Sequence, residues 1–123
     1  MTTPKTIRID DVEYVRADEV NPPAVPLDGK PYVIIRSDRA GVFAGYLASY
    51  DDAVSTVVLD RCIRLWRWTG CSLNQVANDG VSGIGENKFA MPVDGHKIHG
   101  AIETIPCTEK ARLAIQAVKT WKL

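Results

Sequence analysis

Tyr32-Val33-Ile34-Ile35-Arg36 is the stretch on which the fold turns. Its β-branched and aromatic residues fit a pleated, half-buried surface, so it reads as a strand. Outward along the chain, residues 42–50 and 54–60 continue the pattern, with Asp51-Asp52 as the turn between them. Gly41 and Gly45 would weaken a strand unless they permit a bulge or a close approach by another backbone or a ligand. Arg61-Cys62-Ile63-Arg64-Leu65-Trp66-Arg67-Trp68 follows, a further strand by its aromatic content and the Gly70 stop. Residues 88–93 and 97–105 also read as extended, joined by the Asp94-Gly95 turn signal.

Two helices interrupt these strands. Ser72 is a suitable N-cap and Gly80 a suitable C-cap, which predicts about two turns between them. Thr108 is the N-cap of the second, with Glu109 favourable near its positive end. Ala111, Ala114, Ile115 and Val118 then recur at i, i+3, i+4 and i+7, a stripe that docks on a sheet. Runs of strands with two short helices predict an α+β fold with a mainly antiparallel sheet. Before this core, residues 6–16 read as two short strands around Asp10-Asp11. Pro22, Pro23, Pro26 and Pro31 then mark an irregular arm that could also lie across a neighbouring subunit. The expected division is therefore an N-terminal hairpin and proline-rich arm over 1–31, and a core over 32–123, within a single domain.

The 123 residues suit one domain, and 46% hydrophobic with 24% charged residues is an ordinary globular balance. Fifteen basic and fifteen acidic side chains cancel, which argues against wrapping duplex DNA by bulk charge. No stretch of 18 apolar residues is present and residues 1–6 lack the apolar core of a signal peptide, so no membrane partner and a cytoplasmic location are expected. Cys62, Cys71 and Cys107 are odd in number and lack the close pair of a zinc or redox site, so they read as small, mostly buried hydrophobes.

Residues 61–68 are the densest unusual segment, with three arginines and two tryptophans. Strand alternation puts Cys62, Arg64, Trp66 and Trp68 on one face, and Arg61, Ile63, Leu65 and Arg67 on the other. Arginine captures phosphate bidentately and stacks on rings. The competing reading is a half-buried strand whose arginines snorkel while its tryptophans fill the core. Arg36 ends its strand and could reach a phosphate, or be a solvated strand-end charge. Phe89 and Met91 could sandwich a base, or belong to an ordinary core strand. His96 and His99, the only histidines, would face opposite sides of a strand, a poor geometry for sharing a metal. Asp10-Asp11, Asp18-Glu19 and Asp51-Asp52 are turn and surface carboxylates. Gly80-Val81-Ser82-Gly83-Ile84-Gly85 is glycine-rich but does not match a phosphate-cradling loop. No catalytic constellation emerges, and no metal or cofactor is expected.

Several of these segments together resemble a known family. They are Val33-Ile34-Ile35-Arg36 with Ala40-Gly41-Val42 and Gly45; Arg64-Leu65-Trp66-Arg67-Trp68-Thr69-Gly70 with Leu73 and Gly80-Val81; Lys88-Phe89-Ala90-Met91-Pro92-Val93; and Glu103-Thr104-Ile105-Pro106-Cys107-Thr108-Glu109-Lys110-Ala111 with Trp121-Lys122. Over residues 32–122 the chain resembles the first of the phage Thoeris anti-defence families, small sponges for nucleotide immune signals. The resemblance implies binding of cyclic ADP-ribose isomers, such as glyco-cyclic ADP-ribose, made by TIR-domain enzymes and held uncleaved in the infected bacterial host. It implies dimers assembling to hexamers, and, in some members, cyclic oligonucleotides bound at separate sites. It carries phosphate contact onto Arg36 and Arg64, base stacking onto Phe89, and further ligand contact onto Met91, Thr108 and Arg112. There the start of the 108–112 helix could offer N–H groups to an anion. Ile63 stands where the resemblance leads one to expect another basic residue.

Two other functions compete. A single-stranded nucleic-acid or protein-binding module would use Arg61, Arg64 and Arg67 with Trp66 and Trp68 as a stacking platform. A small cyclic-nucleotide hydrolase would use His99 or Glu103.

Overall fold

The computed structural model describes residues 6–9, 12–15, 22–69, 72–81 and 86–121. The expected Asp10-Asp11 turn, Asp18-Glu19, the Gly70 stop, Cys71 and residues 82–85 of the glycine-bearing loop lie outside them. Among the described residues the fold is α+β, mainly antiparallel sheet with two short helices. Strands β1 (Thr6–Ile9) and β2 (Val12–Val15) pair antiparallel as a separate ribbon.

The main sheet is built from β3 (Tyr32–Ser37), β4 (Gly41–Asp51), β5 (Thr56–Arg67), β6 (Lys88–Phe89), β7 (His96–Ile98) and β8 (Ala101–Pro106). Its order is β6-β5-β4-β3-β8, with β7 pairing the first half of β5, and every pairing is antiparallel. Residues 54–60 and 61–68, expected as separate strands, form one continuous strand. It bends at a register shift opposite Ala44/Tyr46, where Arg61 adopts φ 48°. A bulge inserts an unpaired residue and increases local twist, so the strand turns without ending. Gly45 makes this possible: a side chain there would meet the Asp60 carbonyl oxygen at 3.0 Å.

Each bulge also reverses which face the following residues occupy. Val57, Leu59 and Cys62 share one core, while Ile63 and Leu65 join the other. A second shift between Leu65 and Arg67 returns Trp68 to the core of Ile63 and Leu65. Strict alternation, which places Trp68 with Cys62 and Arg64, therefore holds for residues 62–65 and fails beyond the bulge.

Helices α1 (Leu73–Asp79) and α2 (Glu109–Ala117) start at Ser72 and Thr108, whose side chains accept from the N–H groups of Gln75 and Ala111. Both cover one face of the sheet and bury Val76, Ala77, Ala111 and Ile115 against Tyr32, Ile34, Tyr46 and Phe89. The opposite face holds Val33, Ile35, Phe43, Val57, Leu59, Ile98 and Ala101, with β7 lying over it from the edge of β5. The proline arm docks on its own chain: Ala24 N–H donates to the Cys107 carbonyl, and Val25 N–H to Glu109 Oε1. No helix among the described residues is long and apolar enough to cross a membrane.

Candidate functional site

The stretch expected as extended over 97–105 breaks at Gly100, whose φ of 69° suits a residue without Cβ. A side chain there would also stand 2.4 Å from Asp38 Oδ1. The β7–β8 corner is thereby pinned to the β3–β4 turn: Asp38 N–H donates to the Gly100 carbonyl at 3.0 Å, and Ser37 Oγ to the His99 carbonyl at 2.8 Å.

Between corner and turn opens a hollow of about 600 Å³ whose lining includes Asp38, Arg39, Phe43, Arg64, Lys97 and both histidines. Phe43 is its fully buried floor. Residues opposite each other in an antiparallel ladder share a face, and Phe43 pairs with Arg64. The Arg64 guanidinium sits 4.6 Å over the Phe43 ring and donates from Nη1 to the Ala40 carbonyl at 2.8 Å. Stacking and that bond fix the plane of the group while leaving further N–H donors for a ligand. His96 meets the same ring edge-on at 5.2 Å. Burial first, then the Arg64 charge, push its imidazole below the ordinary histidine value, which keeps it neutral at pH 7. Its Nδ1 is buried without a hydrogen-bond partner.

Charge pairing singles this hollow out. Lys30, Arg36, Arg67, Lys88, Lys110 and Arg112 each have a carboxylate within reach. Among the described side chains, Arg39, Arg64 and Lys97 have none. Arg61 and Lys119 share that condition but lie outside the hollow. Asp38 is the one carboxylate in its lining, so a net positive charge remains.

The sequence-expected site residues are dispersed within one chain. Arg64 lines the hollow. Arg36 stands opposite Val42 on the helix-covered face, with its Nε 2.9 Å from Glu103 Oε1. Phe89 is 1% exposed in the helix-side core, so its ring is packed as in an ordinary core strand. Met91 is 58% exposed and lies outside the hollow. Thr108 is buried; its hydroxyl caps α2 and donates to the Asn78 carbonyl. Arg112 clamps Glu109 through Nε and Nη2 and also reaches Tyr46 and Gln116. That clamp holds the Glu109 carboxyl down at about 2.

The two histidines, expected on opposite sides, both line the hollow, because the strand ends at Ile98 and the chain turns at Gly100. Among the described residues no group of three or more His, Cys, Asp or Glu could hold a metal ion. Cys62 and Cys107 are free and buried, and burial pushes both thiols up to about 12. The hydrolase candidates are separated: His99 lines the hollow, whereas Glu103 is paired with Arg36. Neither Lys97 nor Arg39 is given a role by the sequence reading.

Residues 30–115 match the model of a family described as a domain of unknown function (DUF6948). The chain belongs to that family. Every residue lining the hollow falls within the DUF6948 span, whereas β1, β2 and Trp121 fall outside it. No curated protein and no solved structure matches the chain.

Proposed function

We propose that this protein binds a phosphorylated small-molecule signal in the Arg64 hollow and holds it without cleaving it. The observation that carries the reading is the convergence of Arg39, Arg64 and Lys97, none paired with a carboxylate, on one concave site. Three cations around one hollow, with only the unpaired Asp38 carboxylate among them, repel each other and gain most from an anion that two or more can share. Its volume of about 600 Å³ lies within the ordinary range for small-molecule sites.

Combined with the resemblance of residues 32–122, the reading becomes a phage anti-defence sponge for cyclic ADP-ribose isomers. It acts as a homo-oligomer in the cytoplasm of the infected bacterium and needs no cofactor. The test is direct. Glyco-cyclic ADP-ribose isomers are titrated calorimetrically, and the bound ligand is released by heat and chromatographed. The expected result is nanomolar binding with intact ligand returned. No heat and no thermal shift with any isomer removes the reading, and a chromatographed product makes the protein a hydrolase instead.

A second reading has its own observation. Trp66 is 60% exposed and Trp121 42% exposed, stacked at 4.9 Å with 22° between their planes. Lys88 Nζ lies 5.4 and 5.3 Å from the two ring centroids. Exposed rings beside cations suit single-stranded nucleic acid. This predicts oligonucleotide affinity that falls steeply with salt and is lost in Trp66→Ala.

A further inference from the structure

A second cleft of about 380 Å³ adjoins the hollow and shares Lys97 and His99 with it. Its other lining includes Tyr50, Asp51, Val54 and Thr56, at the far end of the β4–β5 hairpin. We infer that this cleft is a second lobe of the same site, taking a planar ring with N–H or amino donors attached to the anion. The ligand is then a nucleotide rather than a bare polyphosphate or a sugar phosphate. The inference rests on the anion reading of the hollow.

Three features carry it. First, the boundary between the lobes is fixed. The His99 ring nitrogen Nδ1 is 3.0 Å from Thr56 Oγ1, and the His99 carbonyl accepts from Ser37 Oγ at 2.8 Å. The imidazole is a held partition, and Lys97 beside it serves both sides. Second, the lobes differ in charge. The first sets Arg39, Arg64 and Lys97 against the single carboxylate of Asp38, whereas in the second the carboxylate of Asp51 faces Lys97 alone. A carboxylate at neutral pH accepts hydrogen bonds and repels a phosphate, so the second lobe favours a neutral group carrying donors. Asp51 Oδ1 accepts from the Ala53 N–H at 3.0 Å, and no described residue donates to Oδ2. Third, the second lobe has a ring surface. Tyr50 is 50% exposed, and Val54 supplies a further exposed apolar wall. A register shift between Leu47 and Ser49 precedes it on β4, and such bulges re-aim side chains beside binding sites.

The test measures calorimetric affinity for inorganic pyrophosphate, ribose 5-phosphate, and ADP-ribose in linear and cyclised forms, with wild type, Tyr50→Ala and Tyr50→Phe. Wild type should bind at least one ADP-ribose form about tenfold or more tighter than pyrophosphate, because ring stacking on an aromatic side chain supplies a gain of that order. Tyr50→Ala should erase that advantage while leaving pyrophosphate affinity unchanged, and Tyr50→Phe should restore it. If pyrophosphate binds and neither ADP-ribose form binds tighter, the second lobe is refuted while the anion site stands. Retention of the advantage in Tyr50→Ala refutes it equally. If no phosphate compound binds at all, the anion reading fails and takes this inference with it.

Discussion

Truncating Arg64 to alanine separates the hollow from every other placement of the ligand. In the free protein the guanidinium makes two contacts: the Phe43 ring at 4.6 Å and the Ala40 carbonyl at 2.8 Å. An exposed cation–π contact contributes about 0.5–1 kcal/mol and a hydrogen bond about 0.5–1.5 kcal/mol. The variant should therefore lose only about 1–2.5 kcal/mol of folding stability and remain folded. Binding should suffer more. Losing the charge-assisted bonds of one guanidinium to a phosphate costs about 2–3 kcal/mol, which is roughly 30- to 150-fold in Kd. Arg64→Lys keeps the charge but neither the planar fork nor the stacking, so its affinity should fall between the two.

The assay is calorimetric titration with a cyclic ADP-ribose isomer at fixed ionic strength, paired with urea denaturation of each variant. Arg36→Ala is the decisive companion. Arg36 lies on the opposite face of the sheet and is already neutralised by Glu103 at 2.9 Å, so its removal should change Kd by less than about threefold. If Arg64→Ala binds like wild type and Arg36→Ala does not, the ligand sits on the helix-covered side and the reasoning from unpaired cations is wrong.

Three further outcomes follow from the packing. Gly80→Ala places a Cβ 2.3 Å from Ala114 Cβ at a backbone φ of 81°. Strain and overpacking together should cost about 2–6 kcal/mol, and a loss below about 1 kcal/mol by urea denaturation would contradict the tight α1–α2 contact. Phe89→Ala should destabilise by about 3–5 kcal/mol, because Phe89 is a packed core residue. A folded variant with normal stability and selectively lost binding would return the ring to the ligand. Glu109 is held at about 2 against an ordinary 4.5, by Arg112 and then by the Val25 N–H. A depressed carboxyl stabilises the fold above its unfolded pKa and loses that contribution as pH falls from about 4.5 toward about 2. Glu109→Gln should therefore be less stable than wild type at neutral pH and show a flatter stability profile across that window; identical profiles would deny the Arg112 clamp a role.

The helix ends were legible because capping is local chemistry: the Ser72 and Thr108 hydroxyls and the Gly80 backbone do what those residues do at any helix terminus. The antiparallel strands were legible for the same reason, since β-branched runs and turn residues alternate along the chain. Facing was not. A pattern of period 2 assigns sides only while the ladder keeps its register, and β5 shifts register against both β4 and β6. Trp68 therefore joins the core of Leu65 despite its odd separation from it, and Phe89 fills the same core. Nothing in the residue types of 61–68 marks those bulges. Arg36 and Arg112 stood beside Arg64 as candidates because pairing is a tertiary property: only the folded chain shows that Glu103 and Glu109 engage those two arginines.

The same logic explains why the hollow had no sequence motif. Its cations come from a turn at Arg39, a strand interior at Arg64 and a short strand at Lys97, brought together by the β3–β4 turn and the Gly100 corner. Each is unremarkable alone, and a lone surface lysine or arginine is ordinarily a solvated charge. What distinguishes them is a shortage. With fifteen acidic and fifteen basic residues in the whole chain, enough carboxylates exist to neutralise every cation. Asp38 nevertheless lines the hollow without forming an ion pair with any of the three. Clustering like charges costs folding free energy. A cluster kept unpaired beside a buried aromatic floor is the arrangement that the proposed anion site requires, and it is why Arg64 rather than Arg36 carries that proposal.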